Sequence, residues 1–147
     1  MANQESQEKK RWLSRYRELV KTANAYYKQA GEWYDRAVST TKPLTGLPRA
    51  SSPPRTDECY AKYMDCVSVS SEYAEGASKA MRQIRDAIEA VSDEKCRELL
   101  THRYISGLKW YEIAGVMQYD QRWILKLHGK ALGMVDIKHA TKRHPET

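Results

Sequence analysis

The stretch YEIAGVMQYDQRWILKLHGKAL, residues 111–132, contains two short apolar patterns separated by a turn. In and just after its second part, apolar residues recur at spacings of three and four, at Ile124, Leu127, Ala131 and Met134 or Val135. This spacing predicts a helix with one buried face. Asp120 precedes the pattern and is a good N-cap, because its carboxylate can accept hydrogen bonds from the first free backbone N–H groups of a helix.

The opposite face of the same predicted helix is polar and cationic. This polar stripe carries, also at helical spacing, Gln121, Arg122, Leu125, Lys126 and Gly129. A face that is only solvated would more often include acids, and this one has none. We therefore interpret the polar stripe as a specific contact surface.

The two patterns together fit a helix-turn-helix. Ile113 and Ala114 are predicted to pack inward from the first helix, and residues 117–119 to form the turn. Ile124 and Leu127 then meet them from the second helix. In this motif the second helix enters the major groove of DNA and the first braces it across the backbone. From periodicity alone, an αα-hairpin buried in a helical bundle is the alternative.

A heptad pattern fills the N-terminal part of the chain, from about Gln7 to Val38, and predicts a long helix. Its two seams are Trp12, Leu19, Tyr26 and Trp33, and Tyr16, Ala23, Ala30 and Ala37. The apolar stripe is wider than a two-helix seam needs, because of Leu13, Val20, Tyr27 and Tyr34. We expect the extra width to be covered either by the C-terminal block or by a second copy of the protein.

A second heptad pattern, from Asp57 to Val91, predicts another long helix. Residues 40–56, TTKPLTGLPRASSPPRT, lie between the two patterns and hold four of the five prolines. Because proline lacks an N–H and fixes φ, no helix is expected to cross this stretch. Two long helices joined by a loop predict an antiparallel hairpin.

Three shorter helices are predicted after a cap at Ser92 or Asp93, at Asp93–Ser106, Lys109–Met117 and Asp120–His139. Gly107 is expected to close the first of them. The expected fold is therefore all-α, with a helical hairpin at residues 1–91, a helix-turn-helix domain at residues 92–139 and a basic tail at residues 140–147.

The composition of the chain limits which partners and which cellular compartment are plausible. The net charge of +6 is compatible with a polyanionic partner, although charge alone is weak evidence for nucleic-acid binding. No apolar run approaches the roughly 20 residues of a membrane span, and the N-terminus lacks the apolar core of a signal peptide. The cysteines (Cys59, Cys66, Cys96) are odd in number and form no CxxC. We interpret them as reduced and packed in a cytoplasm.

No arrangement of residues typical of catalysis is present in the sequence. The four histidines, His102, His128, His139 and His144, form no pair at metal-ligand spacing with a cysteine or carboxylate. There is also no glycine loop of the kind that binds phosphates. The sequence therefore predicts a protein that is not an enzyme and that needs no cofactor or metal.

Residues 104–132, YISGLKWYEIAGVMQYDQRWILKLHGKAL, resemble region four of bacterial sigma factors. In that region a Gly-Leu-Thr-x-x-Glu-Ile-Ala helix precedes a recognition helix that ends in Lys-Ala-Leu. The matching residues are Gly107, Leu108, Glu112, Ile113, Ala114, Ile124, Leu127 and Lys130-Ala131-Leu132. With its long helical N-terminal half, the whole chain is similar to small phage transcriptional regulators of the RinA/ArpU type. The resemblance implies a regulator that acts late in phage infection, on genes near the packaging operon.

The resemblance also implies DNA contacts along the polar stripe. Gln121 and Arg122 occupy the first helical turn, the part of a recognition helix that usually reaches base edges. Arg122 is suited to guanine O6/N7, and Gln121 to adenine N6/N7. Lys126 is placed to read guanine or to hold a phosphate, and Lys130 to contact the backbone. Each of these side chains is also compatible with simple solvation.

Two departures from the sigma pattern are informative. Leu125 stands where sigma factors commonly carry a charged residue, so it is expected either to touch a thymine methyl or to pack on a neighbouring helix. Lys109 replaces the serine or threonine that usually caps the first helix, so the capping box with Glu112 is expected to be lost. A phosphate contact would offset the cost of a cation at a helix N-terminus.

Three aromatic residues flank the predicted motif. Trp110 is expected in the core, whereas Tyr111 and Trp123 are expected at the margin of bound DNA, although aromatics in such positions are more often core residues.

The sequence thus predicts a sequence-specific, double-stranded DNA-binding transcriptional regulator, with residues 120–133 as the recognition helix and the hairpin as a homodimerisation or partner-binding element. Two alternatives remain open. One is a DNA-packaging protein of the small-terminase kind, although such proteins usually carry their DNA-binding end first. The other is a sigma-like adaptor that binds RNA polymerase.

Overall fold

The computed structural model describes residues 2–39 and 54–138, and all the regular structure in these ranges is helical. The elements are α1 (Ala2–Ser39), α2 (Pro54–Glu89), α3 (Glu94–Leu100), a π-helical segment (Thr101–Ile105), α4 (Trp110–Met117) and α5 (Gln121–Met134). The prediction of an all-α fold that begins with a long helix pair is confirmed. The predicted loop as far as residue 53 and the predicted basic tail lie outside the described residues.

The second long helix includes part of the stretch that was predicted to be loop. α2 includes Pro54, Arg55 and Thr56, so the expectation that the loop extends to residue 56 is wrong at its end. The physical reason is that proline is well tolerated in the first turn of a helix, where its missing N–H would have had no partner. Asp57 then adds a negative charge near the positive end of the helix dipole.

The chain divides into two compact units. The hairpin unit is Val20–Glu75, and the C-terminal unit joins the chain up to Leu19 with the chain from Gly76 onward. Both long helices therefore contribute residues to each unit. The sequence predicts a different division, at residue 91, with both long helices in one domain and the shorter helices in the other.

In the hairpin unit the two helices run antiparallel. The Ser70 hydroxyl donates a buried hydrogen bond to the Ala23 carbonyl at 2.9 Å. One ring pair, Tyr26 and Tyr73, is stacked with centroids 5.6 Å apart, and a second, Tyr34 and Tyr63, is tilted at 5.5 Å. The small seam residues let the two backbones approach closely, since buried alanines lie at Ala23, Ala30 and Ala37 along α1.

The C-terminal unit contains one continuous apolar core. Its fully buried side chains come from every helix of the unit and include Leu13, Ile84, Leu99, Leu100, Ile113 and Ile124. Leu13 belongs to the extra width of the α1 stripe, which was expected to be covered either by the C-terminal block or by a second copy of the protein. The C-terminal helices cover this residue, whereas Tyr27 stays 70% and Tyr34 stays 46% exposed in the described chain.

A buried ammonium group links the start of α1 to the end of α5. Lys9 is only 9% exposed, and its Nζ donates a hydrogen bond to the Leu132 carbonyl at 2.9 Å. The same Nζ lies 3.4 Å from a carboxylate oxygen of Glu5, one turn earlier. A cation at this point satisfies a carbonyl that the helix end leaves without a partner and opposes the negative end of the helix dipole.

α5 ends at Met134, so the predicted extension of this helix to His139 is wrong. Val135 is extended, with φ −76° and ψ 130°, and is only 2% exposed. Burial of Val135 in the core turns the chain out of the helix. The Asp136 side chain then accepts a hydrogen bond from the Lys138 N–H at 3.1 Å.

The helix predicted at Asp93–Ser106 is only partly α-helical. Asp93 is its N-cap, as expected, and accepts hydrogen bonds from the N–H groups of Lys95 at 2.9 Å and Cys96 at 3.4 Å. After Leu100 the chain widens into the π-helical segment, so the expectation of one regular helix to Ser106 is wrong. Gly107, at φ 73°, ends it in the left-handed conformation that glycine adopts without steric cost.

Within residues 2–39 and 54–138, no helix combines the length and the apolar character that crossing a bilayer requires.

The packing of α1 in the C-terminal unit makes a testable prediction. Leu13→Ala should lower the free energy of unfolding by about 2–5 kcal/mol, because it leaves a cavity at a fully buried position. Arg11→Ala, at an exposed position on the same helix, should change it by less than about 0.5 kcal/mol. Urea unfolding measures both, and equal effects of the two substitutions would contradict this packing.

Candidate nucleic-acid interface

A tight turn sets the start of α5. Gln118 lies in the left-handed region, with φ 60° and ψ 43°, and the Tyr119 N–H donates to the Ala114 carbonyl at 3.1 Å. Only residues 118–120 separate α4 from α5, a connection of the length that helix-turn-helix motifs use. Ile113 and Ile124, both fully buried, lie on either side of this turn, as the spacing predicts.

Asp120 has the backbone position of an N-cap but not the expected side-chain bonds. Its φ of −63° and ψ of 144° are those of a capping residue, and its carbonyl accepts from the Ile124 N–H at 3.0 Å. Its carboxylate accepts no capping hydrogen bond, so that part of the prediction is wrong. Because Asp120 is exposed, water can satisfy the free N–H groups of the first turn at small cost.

The start of α4 keeps half of a capping box. The Lys109 N–H donates to Glu112 Oε1 at 3.0 Å, so the expectation that the box is wholly lost is wrong. The reciprocal half is missing because an ammonium group has no acceptor. Lys109 is exposed beside the N-terminus of α4, where the helix dipole favours an anion.

The predicted contact residues of the first two turns of α5 are all exposed to solvent. Side chains exposed to solvent there are Gln121, Arg122, Trp123, Leu125 and Lys126. Leu125 is 46% exposed, which excludes its packing fully under a neighbouring helix. Trp123 is 50% exposed, and its ring centroid lies 6.5 Å from that of Tyr119. These residues can therefore meet a partner without rearrangement of the core.

Lys130 is placed differently from the other predicted contacts. Its Nζ lies 3.3 Å from a carboxylate oxygen of Asp93, the N-cap of α3. The backbone N–H of Cys96, followed by the hydrogen bond from Lys130, lowers the pKa of Asp93 below its usual value. Lys130 thus has an intramolecular partner that a DNA phosphate would have to replace.

Of the flanking aromatics, Trp110 lies in the core as expected, and Tyr111 is exposed. Trp110 packs against the apolar core, whereas Tyr111 is 63% exposed. The ring of Trp110 is covered by the Arg103 guanidinium, whose Cζ lies 4.3 Å from the ring centroid.

A basic groove of about 650 Å³ lies beside α5, within the C-terminal unit. It is lined by Asn3, Ser6, Lys10, Ser14 and Arg17 of α1, by Arg103, Tyr104, Gly107 and Trp110, and by Leu125, His128, Gly129 and Leu132 of α5. Its lining contains three cations and no carboxylate among these residues. Leu125 and Gly129 belong both to this groove and to the polar stripe, so the two surfaces are continuous.

Two of the groove's cations lie close to the backbone around Gly107. The Arg103 Nη1 donates to the Leu108 carbonyl at 3.1 Å, which keeps its guanidinium over Trp110. Arg17 lies against Gly107, where an added Cβ atom would overlap the guanidinium. Gly107 therefore serves two purposes, since its positive φ ends the π-helical segment and its missing side chain makes room for Arg17.

The inner wall of the basic groove contains a buried polar pair. His128 is 6% exposed, and its Nε2 lies 2.7 Å from the Tyr104 hydroxyl, within hydrogen-bond distance. Burial, assisted by the nearby charges of Lys10 and Arg103, lowers the pKa of His128 to about 4. Burial also raises the pKa of Tyr104 to about 12. Both groups are thus uncharged at neutral pH.

Two features of the chain explain why the basic groove is not predicted from its sequence. His128 stands four residues after Ile124, a spacing typical of a buried helix face, and this spacing gives no sign of a functional role. Lys10 and Arg17, by contrast, lie on α1, far in the chain from Arg103, and no local pattern brings them together.

Metal binding is not supported by the described part of the chain. No group of three histidine, cysteine, aspartate or glutamate residues there has the geometry to hold a metal ion. Cys59, Cys66 and Cys96 are free thiols, and the first and last of them are buried.

No protein-family model, curated protein or solved structure matches this chain.

The buried histidine predicts a pH dependence of stability. Because the folded pKa of about 4 lies below the value of 6.5 for a free histidine, the unfolded chain takes up the proton first as pH falls. Stability should therefore be lost from about pH 6.5 down to about pH 4. Between pH 7 and pH 5 this group should lower the free energy of unfolding by about 2 kcal/mol.

His128→Gln provides the control for this measurement, because glutamine can still bond to the Tyr104 hydroxyl but does not titrate. Urea unfolding of both proteins at pH 7 and pH 5 should show the loss in the wild type and a smaller loss in the variant. Identical losses would assign the pH dependence to other groups.

Proposed function

We propose that this protein is a double-stranded DNA-binding transcriptional regulator that inserts the first turns of α5 into the major groove. The observation that carries the proposal is the exposure of Gln121, Arg122 and Lys126 directly after a three-residue turn, on a helix whose other face is buried. Side chains at the N-terminal end of a recognition helix are those that reach base edges. Arginine and glutamine are suited to guanine and adenine edges, respectively.

Three further features support this proposal. The net charge is +6, and the basic groove continues the polar stripe. Lys109 lies at the N-terminus of α4, which is a position suited to a DNA phosphate. The resemblance of residues 104–132 to sigma region four gives the same assignment of the recognition helix. From it we propose that the regulator belongs to a phage or prophage and acts in the bacterial cytoplasm.

We also propose that the protein binds DNA as a homodimer formed through the hairpin unit. Several large apolar side chains of this unit are exposed, at Tyr27, Tyr34, Val38, Tyr60 and Met64. Exposed apolar residues on a helix pair are a common feature of protein interfaces. A dimer would present two recognition helices to half-sites separated by about 34–36 Å, one turn of DNA.

A sigma-like adaptor that binds RNA polymerase is the second candidate. Exposed apolar residues on the helix-turn-helix itself favour it, since Tyr111 and Val116 of α4 are 63% and 57% exposed and Trp123 of α5 is 50% exposed. Aromatic side chains of this kind are enriched at protein interfaces. The two candidates differ in whether Arg122 and Lys126 contribute to DNA affinity.

Selection of bound duplexes from a random DNA pool, at about 150 mM salt to limit nonspecific phosphate binding, tests the first candidate. A sequence motif should be enriched. Arg122→Ala should weaken binding to it by about 1–3 kcal/mol and relax the preference at one base pair, because a bidentate contact is lost. Lys126→Ala should also weaken binding.

Arg85→Ala is the matched control for Arg122→Ala, because Arg85 is an exposed helical arginine of the same unit and lies outside the polar stripe and the basic groove. It should leave the preference unchanged. An absence of enrichment, with DNA affinity indifferent to Arg122→Ala and Lys126→Ala, would favour the adaptor.

The oligomeric state is tested by sedimentation velocity at micromolar concentration. The wild type should sediment as a dimer, and the double variant Tyr27→Ser/Met64→Ser as a monomer, because it removes exposed apolar surface from the hairpin unit. Val116→Ser removes a similar surface from α4 and should leave the dimer intact. A monomeric wild type would contradict the proposal, and an assembly of eight or more subunits would favour the DNA-packaging alternative.

A further inference from the structure

We propose that the basic groove is a phosphate-binding subsite that holds the DNA backbone beside the recognition helix. The inference deepens the proposed function and rests on it. It assigns a direct role in DNA binding to the first turns of α1, which lie outside the helix-turn-helix.

The basic groove carries a net positive charge. Lys10 and Arg17 of α1 face the same space as Arg103 of the π-helical segment, and no aspartate or glutamate is among the described residues that line it. The charges of Lys10 and Arg103 both act on His128 in the groove wall. Such a surface attracts anions, and phosphate oxygens are preferred partners of guanidinium and ammonium groups.

The polar neutral residues of the groove also fit a phosphodiester. Ser6, Ser14 and the amide of Asn3 lie along the α1 side of it. Hydroxyl and amide side chains are frequent donors to backbone phosphates, alongside arginine and lysine. A strand in this groove would thus meet both charged and neutral donors from one helix.

The shape of the groove favours a polymer backbone over a free nucleotide. The ring of Trp110 is already occupied by the Arg103 guanidinium at 4.3 Å and by His128 at a centroid distance of 4.6 Å. It therefore offers poor stacking to a base, which single nucleotides usually require for tight binding. The groove is also open, as a site for a continuous strand must be.

The basic groove is continuous with the exposed surface of α5. Gly129 lies on both surfaces, and nothing is within 4 Å of the position that a Cβ atom would take there. A strand can therefore approach the backbone of α5 closely at this point. The backbones that border a major groove run on both sides of an inserted recognition helix, so a basic wall beside α5 is suited to one of them.

The double variant Lys10→Gln/Arg17→Gln tests the inference. Lys10 is partly exposed and Arg17 is exposed, and Arg103 is left in place because it also donates a hydrogen bond to the Leu108 carbonyl. Loss of two phosphate contacts should weaken binding roughly 30-fold at about 0.15 M salt and make the slope of log K against log salt shallower by about 1.8. The loss should be the same for the selected operator and for an unrelated duplex, because phosphate contacts carry no sequence information.

Arg82→Gln/Arg85→Gln is the matched control, since it removes two exposed helical cations from the same unit outside the groove. Its effect on affinity and salt slope should be much smaller. Circular dichroism and thermal unfolding of all variants separate loss of binding from loss of folding. Arg122→Ala is measured in parallel, because it reports on the proposed function independently of the groove.

The outcomes separate the two proposals. If Arg122→Ala weakens operator binding while the groove variant behaves like its control, the groove inference is overturned and the proposed function stands. If no variant changes DNA affinity, both are overturned. Isothermal titration with ATP as the probe distinguishes the source of the phosphate. Saturable ATP binding that needs Lys10 and Arg17, with DNA affinity unchanged in the variant, would overturn the assignment to DNA in favour of a small phosphate ligand.

Discussion

The buried Lys9 ammonium group, bonded to the Leu132 carbonyl at 2.9 Å, joins the first helix of the chain to the last turns of α5. Next to it Leu13 is fully enclosed by the core of the C-terminal unit. An ammonium group loses hydration when it is buried, and this loss is offset only where its donors find acceptors. The carbonyl groups at the end of a helix are such acceptors. This contact therefore orients α1 on α5 as well as holding it there.

The candidate DNA-binding surface depends on that orientation. Without α1, the helix-turn-helix would present the polar stripe alone, and one wall of the basic groove would be missing. With α1 in place, Lys10 and Arg17 line the same groove as Arg103, and cations from two distant segments of the chain face one space. The π-helical segment contributes to the same result, because its wider turn ends at Gly107, against which Arg17 packs.

The polar pair in the groove wall shows how a core tolerates uncharged polar groups. His128 and Tyr104 are both buried and lie within hydrogen-bond distance of each other, so neither is left unsatisfied. Burial keeps each group in its neutral form at neutral pH. The positive potential of the groove therefore comes from Lys10, Arg17 and Arg103, and protonation of the histidine opposes folding.

The sequence by itself determined the elements and their buried faces. Heptad spacing predicted both long helices, and the recurrence of Ile113, Ile124 and Leu127 predicted the helix-turn-helix, because local periodicity follows directly from helix geometry. It also placed Arg122 and Lys126 on the exposed face. Helix ends were less well predicted, since burial of Val135 ends α5 and a π-helical turn interrupts the helix after Leu100. Only the tertiary structure decided which residues share the basic groove, because Lys10 and Arg103 are brought together by packing between segments that are distant in the chain.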